Sequence, residues 1–299
     1  MRVTSTTFPN NLVNQLQQLT SKMNTLQQQA STGQRVLAPS DDPAAAARVL
    51  NYQAERNGLA QFQRNALRAE DILNASNAQI QNLLDVSERA NEIVSLTNDV
   101  FNGDDMVVYA TEIDALLEQA LVNANANFNE EPLFGGTTAA MRPFTVTRDP
   151  EPDGRITAVT YAGAPTTAQI QVAEGSSISP YSSPAENQQI ADFLNRLVGL
   201  RDALNTRDSA QVRALSVGMQ DSEDELILQL SGKGALLSRL EVDKTQNATR
   251  YTDLAEQVSR DADIDLAQAL VKLTQNQNAY QAALMSASKV LNKSLLDYL

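Results

Sequence analysis

Residues 31–43 read STGQRVLAPSDDP and separate two long helical patterns. Gly33 is a predicted helix stop, because glycine commonly follows the last helical residue. Asp42 is a predicted N-cap for the next helix, and Pro43 suits the first helical position, where its missing N–H costs nothing. We therefore predict an extended interdomain joint between two helices, with these residues: Gly33, Pro39, Asp41, Asp42 and Pro43.

Heptad patterns occupy both ends of the chain. Apolar residues step by four and three from Leu12 to Ala30, and the same rhythm runs from Leu266 to Tyr298. Such stripes contain few large apolar residues, so the two terminal helices are predicted to pack side by side and to finish folding against other copies of the chain. The predicted assembly interface consists of Leu12, Leu16, Leu19, Met23, Leu26, Leu273, Tyr280, Leu284, Leu291 and Leu295.

Between its ends the chain keeps helical periodicity except in one segment. Long stripes run through 59–94 and 212–258, and shorter helices are predicted near 105–128 and 186–205. Residues 136–185 instead carry short alternating β-branched runs, which predict a small β-rich insertion. The predicted fold class is mainly α: a long antiparallel helical coiled-coil bundle formed by the N- and C-terminal segments, with the insertion in the middle of the chain.

This arrangement predicts three domains. A turn at Pro152-Asp153-Gly154 is predicted to join the first two strands of the insertion. The predicted domains are an inner terminal coiled coil (1–40 with 261–299), a helical bundle (41–135 with 186–260) and a small β-rich outer domain (136–185).

The composition excludes several kinds of active site. The 299 residues include no Cys, no His and no Trp, and only 5% are aromatic. Disulfides, thiolate metal sites and most nucleophile–base triads are therefore excluded, and we expect neither a cofactor nor an enzymatic activity. A net charge of −13 argues against nucleic acid as a partner. We also expect no cleaved secretory signal and no membrane insertion, because long apolar runs are lacking.

Three polar segments have structural interpretations. SGKG at 231–234 lacks the rest of a phosphate-binding pattern and is interpreted as a flexible point in a long helix. The four acids between positions 221 and 225 are interpreted as a solvated helix face. Asp261, Asp263 and Asp265 do not match a calcium loop and are interpreted as acids that cap the last helix.

Three segments resemble elements of a known family. STGQRVLAPSDDPAAAARVL (31–50) resembles the S-T-G-x-R-V-x-x-P-S-D-D-P segment of bacterial flagellin-like proteins, and EPLFGGTTAAMRPF (131–144) resembles their Y-L-F-G-G-T … P-F element. Residues 261–299 are similar to their C-terminal helix with its Y-Q-A-A-L stretch. Because LFGGT is followed by Pro-Phe, the resemblance is greatest to the hook–filament junction branch, the hook-associated protein 3 family.

The resemblance implies a structural component of the bacterial flagellum that joins hook to filament. It implies secretion through the flagellar type III export apparatus, with an export chaperone, and assembly as a ring through the terminal helices. The implied partners are copies of the chain itself, the neighbouring hook-associated junction protein and flagellin. Two alternatives stay open: a short flagellin that forms the filament itself, and a secreted coiled-coil module that binds an external ligand through its β insertion.

Overall fold

The computed structural model describes residues 7–98, 103–137, 142–150 and 154–296, with side chains for 11–97, 105–137, 142–150 and 154–288. Helices dominate this part of the chain, so the predicted mainly α fold class is confirmed. The helices are α1 Thr7–Thr32, α2 Pro43–Asn98, α3 Gly103–Ala124, α4 Pro184–Asn205, α5 Ser209–Ala262 and α6 Leu266–Leu296.

Local hydrogen bonds set the helix ends where the sequence predicts them. Gly33 has φ of +72°, and its N–H donates to the carbonyl of Gln29 at 2.9 Å, which closes α1. The carboxylate of Asp42 accepts the N–H of Ala45 at 3.0 Å, so it caps α2 ahead of Pro43. The joint 33–42 is therefore a break between two well-terminated helices.

The middle of the chain forms short antiparallel strand pairs. Among the described residues these are β1 Asn127–Phe128 with β2 Glu131–Pro132, β3 Phe144–Arg148 with β4 Ile156–Tyr161, and β5 Ile170–Ala173 with β6 Ser176–Ile178. The pair β1–β2 precedes the predicted insertion, and two-residue strands are too short to produce an alternating pattern. The predicted turn residues Pro152 and Asp153 lie outside the described residues, and Gly154 has φ of +54°.

The LFGGT element depends on one glycine. Gly136 has φ of +66°, and a Cβ atom there would lie 2.6 Å from the carbonyl oxygen of Thr166. Any other residue would have to displace backbone, so this position requires glycine. The preceding Phe134 is fully buried, which fixes the element to the core.

The chain divides into two compact units. One contains Leu59–Thr249, and its core includes the buried aromatic residues Phe134, Phe144 and Phe193. In this unit α3 packs against α4, and β4 lies on α4, where the Asn195 side chain bonds to the backbone N–H and carbonyl of Val159. The other unit contains Met1–Gly58 and Arg250–Leu299. Both boundaries fall inside the long helices α2 and α5, and the three-domain division stays a prediction.

Candidate assembly surface on the terminal helices

The terminal helices α1 and α6 pack side by side, as the heptad patterns predict. The N–H of Ile264, just before α6, donates to the carbonyl of Gly33 at 2.9 Å. Further along, the Asn276 side-chain amide donates to the carbonyl of Leu19 at 2.8 Å. The contact moves back along α1 as it moves forward along α6, so the pair is antiparallel.

On the face of α6 that meets α1, the buried positions hold small or polar residues. Ala269, Asn276 and Ala287 are the buried positions, and Leu273 and Tyr280 lie half-buried between them. Burial contributes about 25 cal/mol per Å² of apolar surface, and alanine has little to bury. The contact between α1 and α6 therefore gains only modest stability within one chain.

The exposed leucines of α6 lie on a different face. Leu266, Leu270 and Leu284 are 49%, 53% and 44% exposed. At about 100° per residue, their face is rotated by roughly 80° from that of the buried alanines. We call Leu266, Leu270 and Leu284 the leucine flank. Val271 and Met285 are exposed as well.

The predicted interface residues of α1 lie along one side of that helix. Leu26 is buried. Leu16 and Tyr280 line an open groove of about 490 Å³ together with the exposed Val13. The half-buried residues of the predicted set on α1 are Leu12, Leu16, Leu19 and Met23.

The structure separates the predicted α6 residues into two groups. Leu273 and Tyr280 lie with the α1 residues, whereas Leu284 belongs to the exposed leucine flank. The side chains of Leu291 and Leu295 lie outside the described part. The sequence pattern did not distinguish these faces, because a 4-3 rhythm tolerates two neighbouring stripes on one helix.

The joint after α1 is held by backbone and charged contacts. The N–H of Arg35 donates to the carbonyl of Ala262 at 2.6 Å, and its guanidinium donates to the carbonyl of Asp261 at 2.8 Å and to Asp42 at 3.1 Å. The Asp41 carboxylate accepts the N–H groups of residues 37 and 38. Of the predicted joint residues, Asp41 and Asp42 thus order the loop.

Pro39 lines an apolar pocket of about 220 Å³ beside the joint, together with Val36, Leu37 and the exposed Leu50. Gly33 and Pro43 end and begin the flanking helices.

Arg48 and Asp261 form a contact that sequence reasoning missed. The Arg48 guanidinium donates to both carboxylate oxygens of Asp261 at 2.9 Å, and this bond holds the pKa of Asp261 below its usual value. The pKa of Asp42 is also lowered, first by the Ala45 N–H and then by Arg35. Asp265 caps α6 through the N–H of residue 268, as predicted, whereas Asp261 serves the joint.

Nothing in the described part of the chain resembles a metal centre, since no three acidic side chains converge there. Within the same residues, every helix is too short or too polar to cross a bilayer. The notable feature of the surface is the leucine flank beside an ordered joint.

Residues 3–139 match the family model of the bacterial flagellin N-terminal helical region. This segment is similar to the flagellin N-terminal helical region. Its likeness to the flagellin-like family is therefore confirmed, and the STGQRVLAPSDDP joint lies inside the matched part.

Two relatives align with this chain over most of their length. The flagellar filament core protein flaB2 of Brachyspira hyodysenteriae is 24% identical over 281 residues, which cover 89% of this chain and 88% of that protein. Flagellar hook-associated protein 3 of Escherichia coli (strain K12) is 21% identical over 287 residues, 90% of each chain. Both alignments extend well beyond the flagellin region into the C-terminal half.

Solved structures share the fold. FlgL of Bacillus cereus superposes with a TM-score of 0.60 at 19% identity and covers 70% of this chain and 99% of its own. A putative flagellar hook-associated protein from Vibrio parahaemolyticus gives a TM-score of 0.64 at 18% identity. The superposition covers 75% of this chain and 100% of the Vibrio chain. This chain therefore has the fold of the solved hook-associated proteins.

Proposed function

We propose that this chain is a structural component of the bacterial flagellum that joins the hook to the filament. The flagellin region, the fold shared with solved hook-associated proteins and the full-length likeness to hook-associated protein 3 support this role. Flagellin-like proteins are structural, and we assign this chain no enzymatic activity and no cofactor. Its place is outside the cell, at the hook–filament junction, after secretion through the flagellar export apparatus.

The observation that carries the proposal is the leucine flank. A single chain leaves Leu266, Leu270 and Leu284 about half exposed on a helix whose other face already contacts α1. Leu266 and Leu270 are about one helical turn apart, and Leu284 lies about 21 Å further along the same side of α6. Exposed leucines aligned on one side of a helix favour an interaction site. Neighbouring subunits cover this flank during assembly, and the terminal helices then gain the apolar burial that they lack alone.

The same surface accounts for the partners. Copies of the chain meet through their terminal helices, and the adjacent hook-associated junction protein and flagellin contact the two sides of the resulting ring. An export chaperone covers the exposed leucines before secretion. The absence of cysteine prevents disulfides that would obstruct passage through a narrow channel.

Aspartate on the leucine flank tests this function. We expect Leu270→Asp and Leu284→Asp to be secreted at the normal level but to reduce the number of attached filaments at least about tenfold, because a buried unpaired carboxylate costs several kcal/mol. Gln275→Asp is the matched control, since Gln275 is exposed on the opposite side of α6. Filaments counted by electron microscopy and secreted chain measured in the medium give the result. Normal filament numbers in both leucine variants would overturn the interface.

Immunogold labelling separates the junction role from that of a short flagellin, which the likeness to a filament core protein favours. We expect label as one band at the distal edge of the hook. Label along the whole filament would assign the chain to the filament instead.

A further inference from the structure

One face of α5 is apolar at both ends and acidic in the middle. Val217, Asp221, Asp224 and Leu228 follow one another by four, three and four residues, so they share one side of the helix. Leu228 is 72% exposed, and Val217 is exposed as well. Neither aspartate carboxylate forms an ion pair or a hydrogen bond with another described residue. We call these four residues the α5 acidic face.

A groove between α3 and β3 has the complementary character. Val122 at this groove is 70% exposed, and the groove has a volume of about 710 Å³. Arg148 is paired, with its guanidinium 2.9 Å from the Glu118 carboxylate, whereas Arg142 has no ionic partner among the residues described. The apolar lining consists of Leu121, Val122, Phe144 and Val146. We call this the α3–β3 groove.

Helix α4 places the two surfaces on different sides of the same unit. The Asn195 side chain bonds to the backbone of Val159 on β4, and Val159 pairs with Val146 of the groove. The next residue, Arg196, donates to the carbonyl of Gly218 and the hydroxyl of Ser222 on α5. Consecutive helical residues point about 100° apart. The groove and the segment of α5 that carries the acidic face therefore lie at one level along α4, on two of its sides.

We propose that the α5 acidic face of one copy docks into the α3–β3 groove of the next copy. The proposal rests on self-assembly in the proposed function and adds a second contact, formed by the unit Leu59–Thr249. Two different patches that meet head to tail form a heterologous interface, which generates rings when the rotation closes. Each copy in a ring then uses both surfaces once.

Complementary chemistry selects a second copy as the occupant. Arg142 has no acidic partner within its own chain's described residues, and the unpaired carboxylates of Asp221 and Asp224 can supply one. Charge pairs across an interface fix orientation and register. The exposed side chain of Leu228 meets the exposed Val122. Docking thus covers exposed apolar residues of both copies. It also gives an acidic partner to Arg142, the only cation without one in the described lining of the groove.

Cysteine cross-linking on isolated flagella tests the contact, and the cysteine-free chain gives no background. Cells that produce Val122→Cys and Leu228→Cys copies together are expected to yield a cross-linked dimer on mild oxidation. Cells that produce either variant alone are expected to yield none, because the interface is heterologous. Val108→Cys with Leu228→Cys is the control, since Val108 is an equally exposed valine on the same helix as Val122.

A charge exchange tests the ionic part. In the two-cysteine mixture, Arg142→Glu on the Val122→Cys copy is expected to lower the dimer yield at least about fivefold, and adding Asp224→Arg to the Leu228→Cys copy is expected to restore it. Restoration distinguishes pairing across copies from local misfolding, which a second substitution would not repair.

The outcomes separate this contact from the proposed function. A chain that labels at the hook edge but gives no mixed dimer refutes the contact and leaves the junction role intact. A dimer from either single variant alone, or a cross-link to a different protein with none between copies, also overturns it. Absence of the chain from flagella would refute the junction role, and it would refute the proposed contact as well.

Discussion

At the scale of the residue, Lys233 is an unusual member of the α5 core. It is 3% exposed, and no described side chain forms an ion pair with it. Burial lowers the pKa of its amine to about 8, and the charge of Glu186 on α4 opposes this only in part. Residues 231–234 are interpreted from the sequence as a flexible point in a long helix, and α5 runs through them as continuous helix.

Replacing this amine by an apolar side chain is expected to stabilise the chain. Lys233→Met removes a buried charge and should raise the free energy of unfolding by up to about 3 kcal/mol near pH 7. The unfolded lysine has its pKa at 10.5 and the folded one at about 8. Between these values the unfolded chain binds more protons, so wild-type stability rises with pH there, and the variant lacks that rise. Urea unfolding at neutral pH and near pH 10 measures both effects.

Lys244→Met is the matched control. The Lys244 amine lies 2.9 Å from the Glu70 carboxylate and 3.0 Å from that of Glu241, and these partners raise its pKa. Loss of the Lys244 amine is expected to leave the free energy of unfolding unchanged or to lower it. An equal gain in both variants would show that burial of the Lys233 charge is not the cause.

The sequence did contain a signal for Lys233. It lies three residues after Leu230 and four before Leu237, inside the α5 apolar stripe. Position alone could not decide its burial, because a lysine at such a place often extends its amine to solvent along the apolar surface.

At the scale of the element, the helices and their ends were predictable, but the packing faces were not. Long 3.6-residue periodicity, Gly33 and Asp42 marked α1 and α2 within a few residues. On α6 the heptad pattern is assigned mainly from the large leucines, whereas Ala269 and Asn276 form the buried contact. Small residues carry little hydrophobic signal, so the face on which two helices approach closely is hard to recognise from sequence.

Asn276 is expected to fix the register of the α1–α6 pair. Its side chain is buried and donates to the Leu19 carbonyl, and a single buried asparagine among apolar positions disfavours shifted pairings. Asn276→Leu should therefore permit a slip of one heptad. Leu16→Cys with Tyr280→Cys reports the native register, because both residues line one groove. Leu16→Cys with Ala287→Cys reports the shifted one.

The two cysteine pairs give opposite expectations. With Asn276 present, only the first pair should cross-link efficiently in the full-length chain. With Asn276→Leu, its yield should fall and that of the second pair should rise. Asn278→Leu, at an exposed position of the same helix, is the control. Identical cross-link patterns with and without Asn276 would assign the register to other contacts.

At the scale of the whole molecule, the two compact units differ in what they bury. The unit Leu59–Thr249 buries aromatic and branched aliphatic side chains around α3 and α4. In the other unit the buried apolar residues of the described part are mostly alanines, with Leu26 and Leu254. Regions with few buried apolar contacts open at low free energy, so their amides exchange fastest.

Amide hydrogen exchange on the full-length soluble chain is therefore expected to separate the units. Residues of α1 and α6 should exchange at least about 100-fold faster than those of α4, which corresponds to about 2.7 kcal/mol of opening free energy. On assembled flagella the α1 and α6 amides should become protected, because neighbouring copies then cover the leucine flank. The α4 amides serve as the internal reference and should keep the same protection in both states. Terminal helices already as protected as α4 in a verified monomer would mean that one chain completes its own fold, and assembly would then need a surface other than these helices.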